Sequence, residues 1–352
     1  MRIKLAILDQ DANYLSRIVS VFTNKFSDKL EVYSFTDLDV AISTLNSSKI
    51  NVFVASDNYD IDDSLLPKNC GLAYLVESAS IETFKEKPAI CKYQKVEIIY
   101  KVILEIFSDN VSDSIGIKFD SDSSVRIISF VSASGGVGSS SAAAACAKSF
   151  ATSGKKTLYI NLEQFGSVEP FFSGIGQADF SDVIFALKSK KTNLSLKLES
   201  SVKQDPSSVF FYGSAKTALD MVELKTEDIQ RLLTDLKLTG SYDNIIFDLD
   251  FSLSPSTLEV FKNSETIVFV SDGSEVSNIK FSRAQKAIEI TEQKLDVSLM
   301  PRLCVFYNKF SNKTGKALDD GIRTIGGAPK YEHASSDQVI SQLVSLGIFA
   351  KI

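Results

Sequence analysis

An apolar run at residues 127–131 leads into Ser134-Gly135-Gly136-Val137-Gly138-Ser139-Ser140, and the small-residue stretch 141–145 follows. A strand, a glycine-rich turn and a helix start in that order leave a nest of backbone N–H groups aimed at an anion. The positive end of the helix dipole points the same way. The expected cradle is Gly135, Gly136, Val137, Gly138, Ser139, Ser140 and Ser141. Phosphate-binding loops of this kind place a lysine immediately before the last Ser/Thr, at the position of Ser139 here, to reach the outer phosphates. That ammonium is the usual source of transition-state stabilisation. With serine in its place, the loop is suited to holding a nucleotide more than to cleaving it.

A chain of 352 residues is long enough for two domains that each bury a core. Its net charge of −6 argues against a whole-protein grip on nucleic acid or anionic lipid, so no specific nucleic-acid partner is expected and any such contact would have to come from a local basic patch. No apolar run approaches the ~20 residues needed to cross a bilayer, and the N-terminus lacks the pattern of a secretory signal. A cytoplasmic protein is expected, with membrane association at most peripheral or through partners. Cys70, Cys91, Cys146 and Cys304 are widely spaced, which fits reduced thiols. His333 is the sole histidine, so metal chemistry beyond Mg²⁺ on a nucleotide is not expected.

Strand-like segments at 4–8, 30–35, 52–55, 72–76 and 88–91 alternate with helical spacing at 12–25, 38–45 and 96–107. The pattern predicts a five-stranded parallel α/β domain over residues 1–107. A Ser/Asp-rich stretch without apolar periodicity gives a linker at 108–124. A second α/β pattern then fills 125–352, with strands at 126–131, 157–161, 244–248, 266–270 and 303–307. The fold class is thus α/β, with two doubly wound parallel sheets.

The 134–140 loop resembles the deviant Walker A loop of the MinD/ParA family, Lys-Gly-Gly-x-Gly-Lys-Ser/Thr. Ser134 and Ser139 stand where both lysines belong, and Ser140 keeps the hydroxyl that contacts Mg²⁺. Further segments follow in the family's order. Residues 242–248 read like a Walker B strand ending at Asp248, which can hold a magnesium-bound water. The strand 305–307 with Asn308 resembles the one whose asparagine reads the adenine edge, and 325–331 resembles the last strand and the turn in which Pro329 borders the base. The resemblance implies ATP and Mg²⁺ as ligands, with Ser140 and Asp248 as the metal side chains. Where the family carries Asp-x-Asp, this chain has Asn161-Leu162-Glu163. Asn161 cannot act as a base, and Glu163 is one methylene longer than aspartate. Glu163 is therefore either a surrogate base or a solvated side chain, and the chain reads as a pseudo-ATPase.

The first domain resembles the CheY-like receiver fold with its chemistry eroded. Asp9 and Asp11 stand where receivers gather acids for Mg²⁺, and Lys92 stands for the receiver lysine. The phosphoacceptor position falls on Ser56, with Asp57 one place late, and a one-residue slip reverses side-chain direction along a strand. A pseudo-receiver used for docking is expected; a phosphorylated switch would require a bulge to restore Asp57.

A receiver-like domain ahead of a MinD/ParA-like ATPase domain is the layout of the TadZ/CpaE proteins of tight-adherence (Flp) pilus assembly, and segments 180–191, 307–313 and 326–334 are similar to the TadZ-type branch. The resemblance implies a homodimer, pilus or secretion machinery proteins as partners, and a place at the pole or at the inner membrane face reached through them. Two features keep alternative readings. Lys188, Lys190, Lys191 and Lys197 form either a binding patch or a solvated face. Apolar spacing over 339–352 is similar to MinD's membrane-targeting tail but lacks its basic face, which favours packing onto the domain. Three functions follow: an ATP-holding positional scaffold, a switching ATPase, or an interaction module whose loop is a relic.

Overall fold

Runs of Ile, Val, Leu and Phe, each bounded by polar turns, are buried on both faces, as the strands of a parallel sheet covered by helices must be. The computed structural model describes residues 2–110, 125–189, 194–318 and 321–352. Residues 111–124 of the expected linker, together with Lys190 and Lys191, lie outside the described residues. The chain forms two units, Met1–Ile117 with Lys190–Ser201, and Lys118–Ser189 with Val202–Ile352.

The first unit contains β1 (Ile3–Leu8), α1 (Ala12–Lys25), β2 (Leu30–Phe35), α2 (Leu38–Ser47), β3 (Val52–Ser56), β4 (Gly71–Val76), β5 (Thr83–Phe84), β6 (Lys87–Cys91) and α3 (Val96–Asn110). The sheet order is β2-β1-β3-β4-β6-β5. All five expected strands are present and pair in parallel. The sixth, β5, pairs antiparallel with β6. It escapes the sequence pattern because its two-residue turn is Lys85-Glu86, with φ of 49° and 62°, where Asn-Gly would have been the signal.

The second unit begins with β7 (Arg126–Val131), α4 (Ser139–Thr152), β8 (Thr157–Asn161) and α5 (Phe180–Lys188). The next helix, α6 (Leu194–Ser201), groups with the first unit, although it lies within the span expected for the second domain. Leu196 of α6 is buried in the first unit's core beside Ile103 and Phe107 of α3. Lys197 pairs with Glu105 at 2.8 Å, and Glu199 pairs with Lys29. Lys188, by contrast, pairs with Asp228 at 2.6 Å, so the two described lysines of the expected basic patch are each neutralised, in different units.

The chain continues through β9 (Lys203–Gln204), β10 (Phe210–Phe211), α7 (Ala218–Val222), α8 (Thr226–Thr239), β11 (Asn244–Asp248), α9 (Pro255–Asn263), β12 (Thr266–Ser271), α10 (Glu275–Leu295), β13 (Leu303–Tyr307), β14 (Arg323–Gly327) and α11 (Ser336–Ser345). The strand order is β14-β13-β12-β7-β11-β8-β10-β9, parallel except for the short β9–β10 pair. Ala142 to Ala147 of α4 are fully buried, because residues this small let the helix lie close on β7, β8 and β11. The C-terminal segment packs beside α4 and against the sheet: Ile340, Leu343 and Phe349 are buried, and the Phe349 ring sits 5.7 Å from Phe306 and 6.3 Å from Phe130. All four cysteines are buried and unpaired. Among the described residues no helix is long and apolar enough to cross a membrane.

Candidate functional site

The loop between β7 and α4 lies at the C-terminal edge of the central strands, where α/β sheets place their ligand sites. Gly136 and Gly138 adopt left-handed φ of 77° and 87°. Gly138 is the N-cap of α4 and brings no side chain to the cap, so the first amides of the helix have no capping side-chain acceptor. A side chain at 138 would meet a neighbour at once, since a Cβ there would lie 2.4 Å from Nδ2 of Asn308 and force that amide to shift. That amide donates to Val137 O at 2.8 Å and pins the loop to the end of β13. Next to it, Lys309, itself left-handed at φ 57°, donates from Nζ to Gly136 O at 2.6 Å. Within the loop, Ser132 bonds both N and O of Ser134. The Ser134 and Ser139 hydroxyl oxygens, at the two positions of the missing lysines, are buried without hydrogen-bond partners.

Asp248 ends β11, wholly buried between β7 and β8. The Tyr159 hydroxyl donates to its Oδ2 at 2.8 Å, and Asn161 Nδ2 donates to the same oxygen at 3.1 Å. Asn161 Nδ2 also donates to Glu163 Oε2 at 3.2 Å, and the Ser140 hydroxyl reaches that oxygen at 3.2 Å. The Glu163 N–H returns a bond to Asn161 Oδ1 at 3.0 Å. The loop carrying Glu163 needs Gly166, since a Cβ there would fall 2.0 Å from Asn161 Oδ1. Burial, followed by the charge of Glu163, pushes the Asp248 carboxyl up to about 7, against the hydrogen bond from Tyr159. Its Oδ1 has no hydrogen-bond donor. A buried carboxylate with one free oxygen, next to a serine hydroxyl at a helix start, is a donor set suited to a hard divalent cation.

Two clefts flank the loop. One of about 190 Å³ opens beside Asn161 and Glu163, between Phe165, Gly166, Tyr212 and Ser214. The other, about 480 Å³, is lined by Tyr307, Phe310 and the Gly326-Gly327-Ala328-Pro329 turn, a mixture of aromatic and small residues of the kind that takes a planar heterocycle. The sequence-expected residues from Gly135 to Ser141, with Asp248, Asn308 and Glu163, therefore surround one loop, and Pro329 lines the cleft beside it. Tyr159 and Lys309 join them and were not anticipated.

In the first unit, Asp9, Ser56 and Lys92 converge, Asp57 touches the group only through its Oδ1, which accepts from the Ser56 hydroxyl at 3.4 Å, and the Asp11 carboxylate points elsewhere. Lys92 Nζ lies 2.7 Å from Asp9 Oδ2 and 3.4 Å from the Ser56 hydroxyl. Asp9 Oδ1 accepts the Asp11 N–H at 2.9 Å, while the Asp11 carboxylate caps α1 through the N–H groups of Asn13 and Tyr14. Ser56 is fully buried as the last residue of β3, whose register against β4 is unbroken, so Asp57 is left one place beyond it. The Tyr14 ring lies 5.8 Å under Lys92, and burial with the Asp9 charge raises its phenol well above the usual range. The only cation in this cluster is the lysine, and the strand-end group facing it is a hydroxyl.

A phosphate-loop α/β unit and a receiver-like unit with a serine at the acceptor position thus define the class. Residues 1–108 match the family model described as TadZ-like, receiver domain, and the ParA family ATPase from Chlorobium tepidum superposes on 64% of this chain and 97% of its own, with 22% identity and a TM-score of 0.52. A stretch that matches a TadZ-like receiver domain is therefore followed by a domain with the ParA ATPase fold. Also similar are a plasmid partition protein from Borrelia burgdorferi bound to AMPPNP (18% identity, 65% of this chain and 99% of that one, TM-score 0.45) and the septum site-determining protein MinD of Pyrococcus horikoshii complexed with Mg-ADP (16%, 65% and 100%, 0.47). No curated protein matches the chain.

Proposed function

We propose that this chain is an ATP-binding localisation and scaffold protein of tight-adherence pilus assembly, with weak or no ATP hydrolysis. It acts as a homodimer on the cytoplasmic side, where the pseudo-receiver docks onto pilus or secretion machinery proteins. The observation that carries the reading is the loop itself. Its backbone is held open by two left-handed glycines and by Asn308, yet it offers serines where lysines would stabilise a transition state. In this reading the amides from Gly136 to Ser140 cradle the phosphates and Ser140 with Asp248 holds Mg²⁺. Asn308, through the Oδ1 left over from its bond to Val137, meets an adenine amine beside Pro329. Bound Mg²⁺ supplies charge neutralisation of the phosphates. Glu163 Oε2 already accepts from Ser140 and Asn161, which leaves only Oε1 to act as a base.

A switching ATPase is the second reading, and one observation favours it: Lys309 places an ammonium on the rim of the loop, supplying the lysine that the loop lacks. A Mg–ATP thermal-shift titration with a phosphate-release assay separates the possibilities. The scaffold reading expects stabilisation that grows with ligand as binding to the native state requires, with release at background and unchanged in Glu163→Gln. A rate that disappears in Glu163→Gln favours the switch, and absence of any thermal shift favours a nucleotide-free module.

A further inference from the structure

Tyr159 and Asn161 stand two residues apart on β8, in register with Ile246 and Asp248 of β11, so both side chains fall on the sheet face that carries the Asp248 carboxylate. Tyr159 is wholly buried, its ring centred 4.9 Å from that of Phe172, which stacks in turn on Phe211 at 5.5 Å. A phenol buried in this way needs a partner for its hydroxyl, and it has one in Asp248 Oδ2. The Asn161 amide is fixed as firmly. Its Oδ1 accepts the Glu163 N–H at 3.0 Å, which turns Nδ2 towards the Asp248 and Glu163 carboxylates at 3.1 and 3.2 Å. An aspartate at 161 could donate to neither. Oδ2 of Asp248 is thus held by two donors, and Oδ1, buried with no donor, is the oxygen left for a cation. The nearby charges that act on Asp248, those of Glu163 and Asp250, are of its own sign.

We propose that Tyr159 and Asn161 are positioning residues that hold Asp248 as a fixed cation ligand, so that the phosphate loop takes ATP as its magnesium complex in preference to the free anion. The inference rests on the nucleotide reading above and adds a selectivity to it. The loop from Ser134 to Ser140 carries no lysine to offset a triphosphate, and a buried carboxylate beside it repels one. A nucleotide that brings its own divalent charge relieves both effects. The carboxylate can meet that charge only if it stays in one orientation, and two donors on a single oxygen remove its freedom to turn, as outer partners of metal ligands do in general. Asn161 therefore has a use that an acceptor-only side chain could not supply, since it ties the two carboxylates together from between them.

The test is equilibrium dialysis of the full chain with ATP in excess Mg²⁺ and with ATP in EDTA. Wild type is expected to bind Mg–ATP the more tightly. Tyr159→Phe keeps the ring and removes one donor, and Asn161→Ala removes the other, so the result does not hang on the folding of one variant. Each should weaken Mg–ATP binding roughly ten-fold, as loss of an outer partner of a metal ligand does, while ATP in EDTA binds as it does to wild type. The ratio of the two affinities separates positioning from mere support of the fold, because a damaged loop would weaken both forms alike. The proposal is overturned if both variants hold Mg–ATP as wild type does, if the two forms of ATP weaken by the same factor, or if wild type binds free ATP as tightly as Mg–ATP. A wild type that takes up neither form would instead overturn the nucleotide reading itself, and the proposal with it.

Discussion

Gly138 concentrates two demands on one position, a φ of 87° and a Cβ-sized space already taken by Asn308. Gly138→Ala should therefore destabilise the protein by about 1–2 kcal/mol from the left-handed backbone alone, displace Asn308 from Val137, and abolish the Mg–ATP thermal shift. Gly135→Ala, with nothing within 4 Å of its Cβ, should leave both nearly unchanged. Asp248 gives a second test, with a defined sign. Its folded-state carboxyl titrates above its ordinary value of 3.8, so its contribution to stability is complete below about pH 4 and is lost as the pH rises towards 7. In ligand-free protein, the urea stability of Asp248→Asn relative to wild type should grow between pH 5 and 8 by on the order of 2 kcal/mol. A difference that stays flat across that range contradicts the account. The serines at 134 and 139, and the glycines between them, could be read directly from their spacing. Tyr159 could not, because its role depends on β8 aligning with β11 so that residues 159 and 161, which share one face of the strand, both reach Asp248. Lys309 likewise acts on Gly136 only because β13 ends beside the loop, 173 positions away in sequence.

At the scale of elements, the captured helix α6 is the least anticipated feature of the chain. Leu196 contributes to a core otherwise built from residues 3 to 107, and two ion pairs fasten the helix around it. Leu196→Ala should cost about 2–5 kcal/mol in urea unfolding; a loss below about 1 kcal/mol would mean that α6 only rests on α3. The strands were readable because buried parallel strands are uninterrupted apolar runs, and β7, β8, β11 and β13 start and stop at the expected residues. Nothing in the spacing of Leu194, Leu196 and Leu198 says which core they enter, and amphipathic periodicity never names the partner surface. The β5–β6 hairpin stayed hidden for a different reason: Lys85 and Glu86 adopt a conformation that favours Asn and Gly. The apolar face of the C-terminal helix was expected to pack on its own domain, and it does so against α4.

For the whole molecule, the missing lysine at position 134 has a consequence for assembly. The family resemblance gives that lysine to a partner subunit's nucleotide, and serine has no charge to offer there. If the chain is a homodimer, its dimerisation should be indifferent to ATP, and sedimentation velocity should give the same mass with and without Mg–ATP. Assembly that appears only with ATP would contradict this. The central claim is that uncharged amides and hydroxyls around Gly136 to Ser140 retain a triphosphate without cleaving it. Mass analysis of nucleotide released from the freshly purified chain tests it most directly: intact ATP is the predicted result, and ADP alone would contradict it.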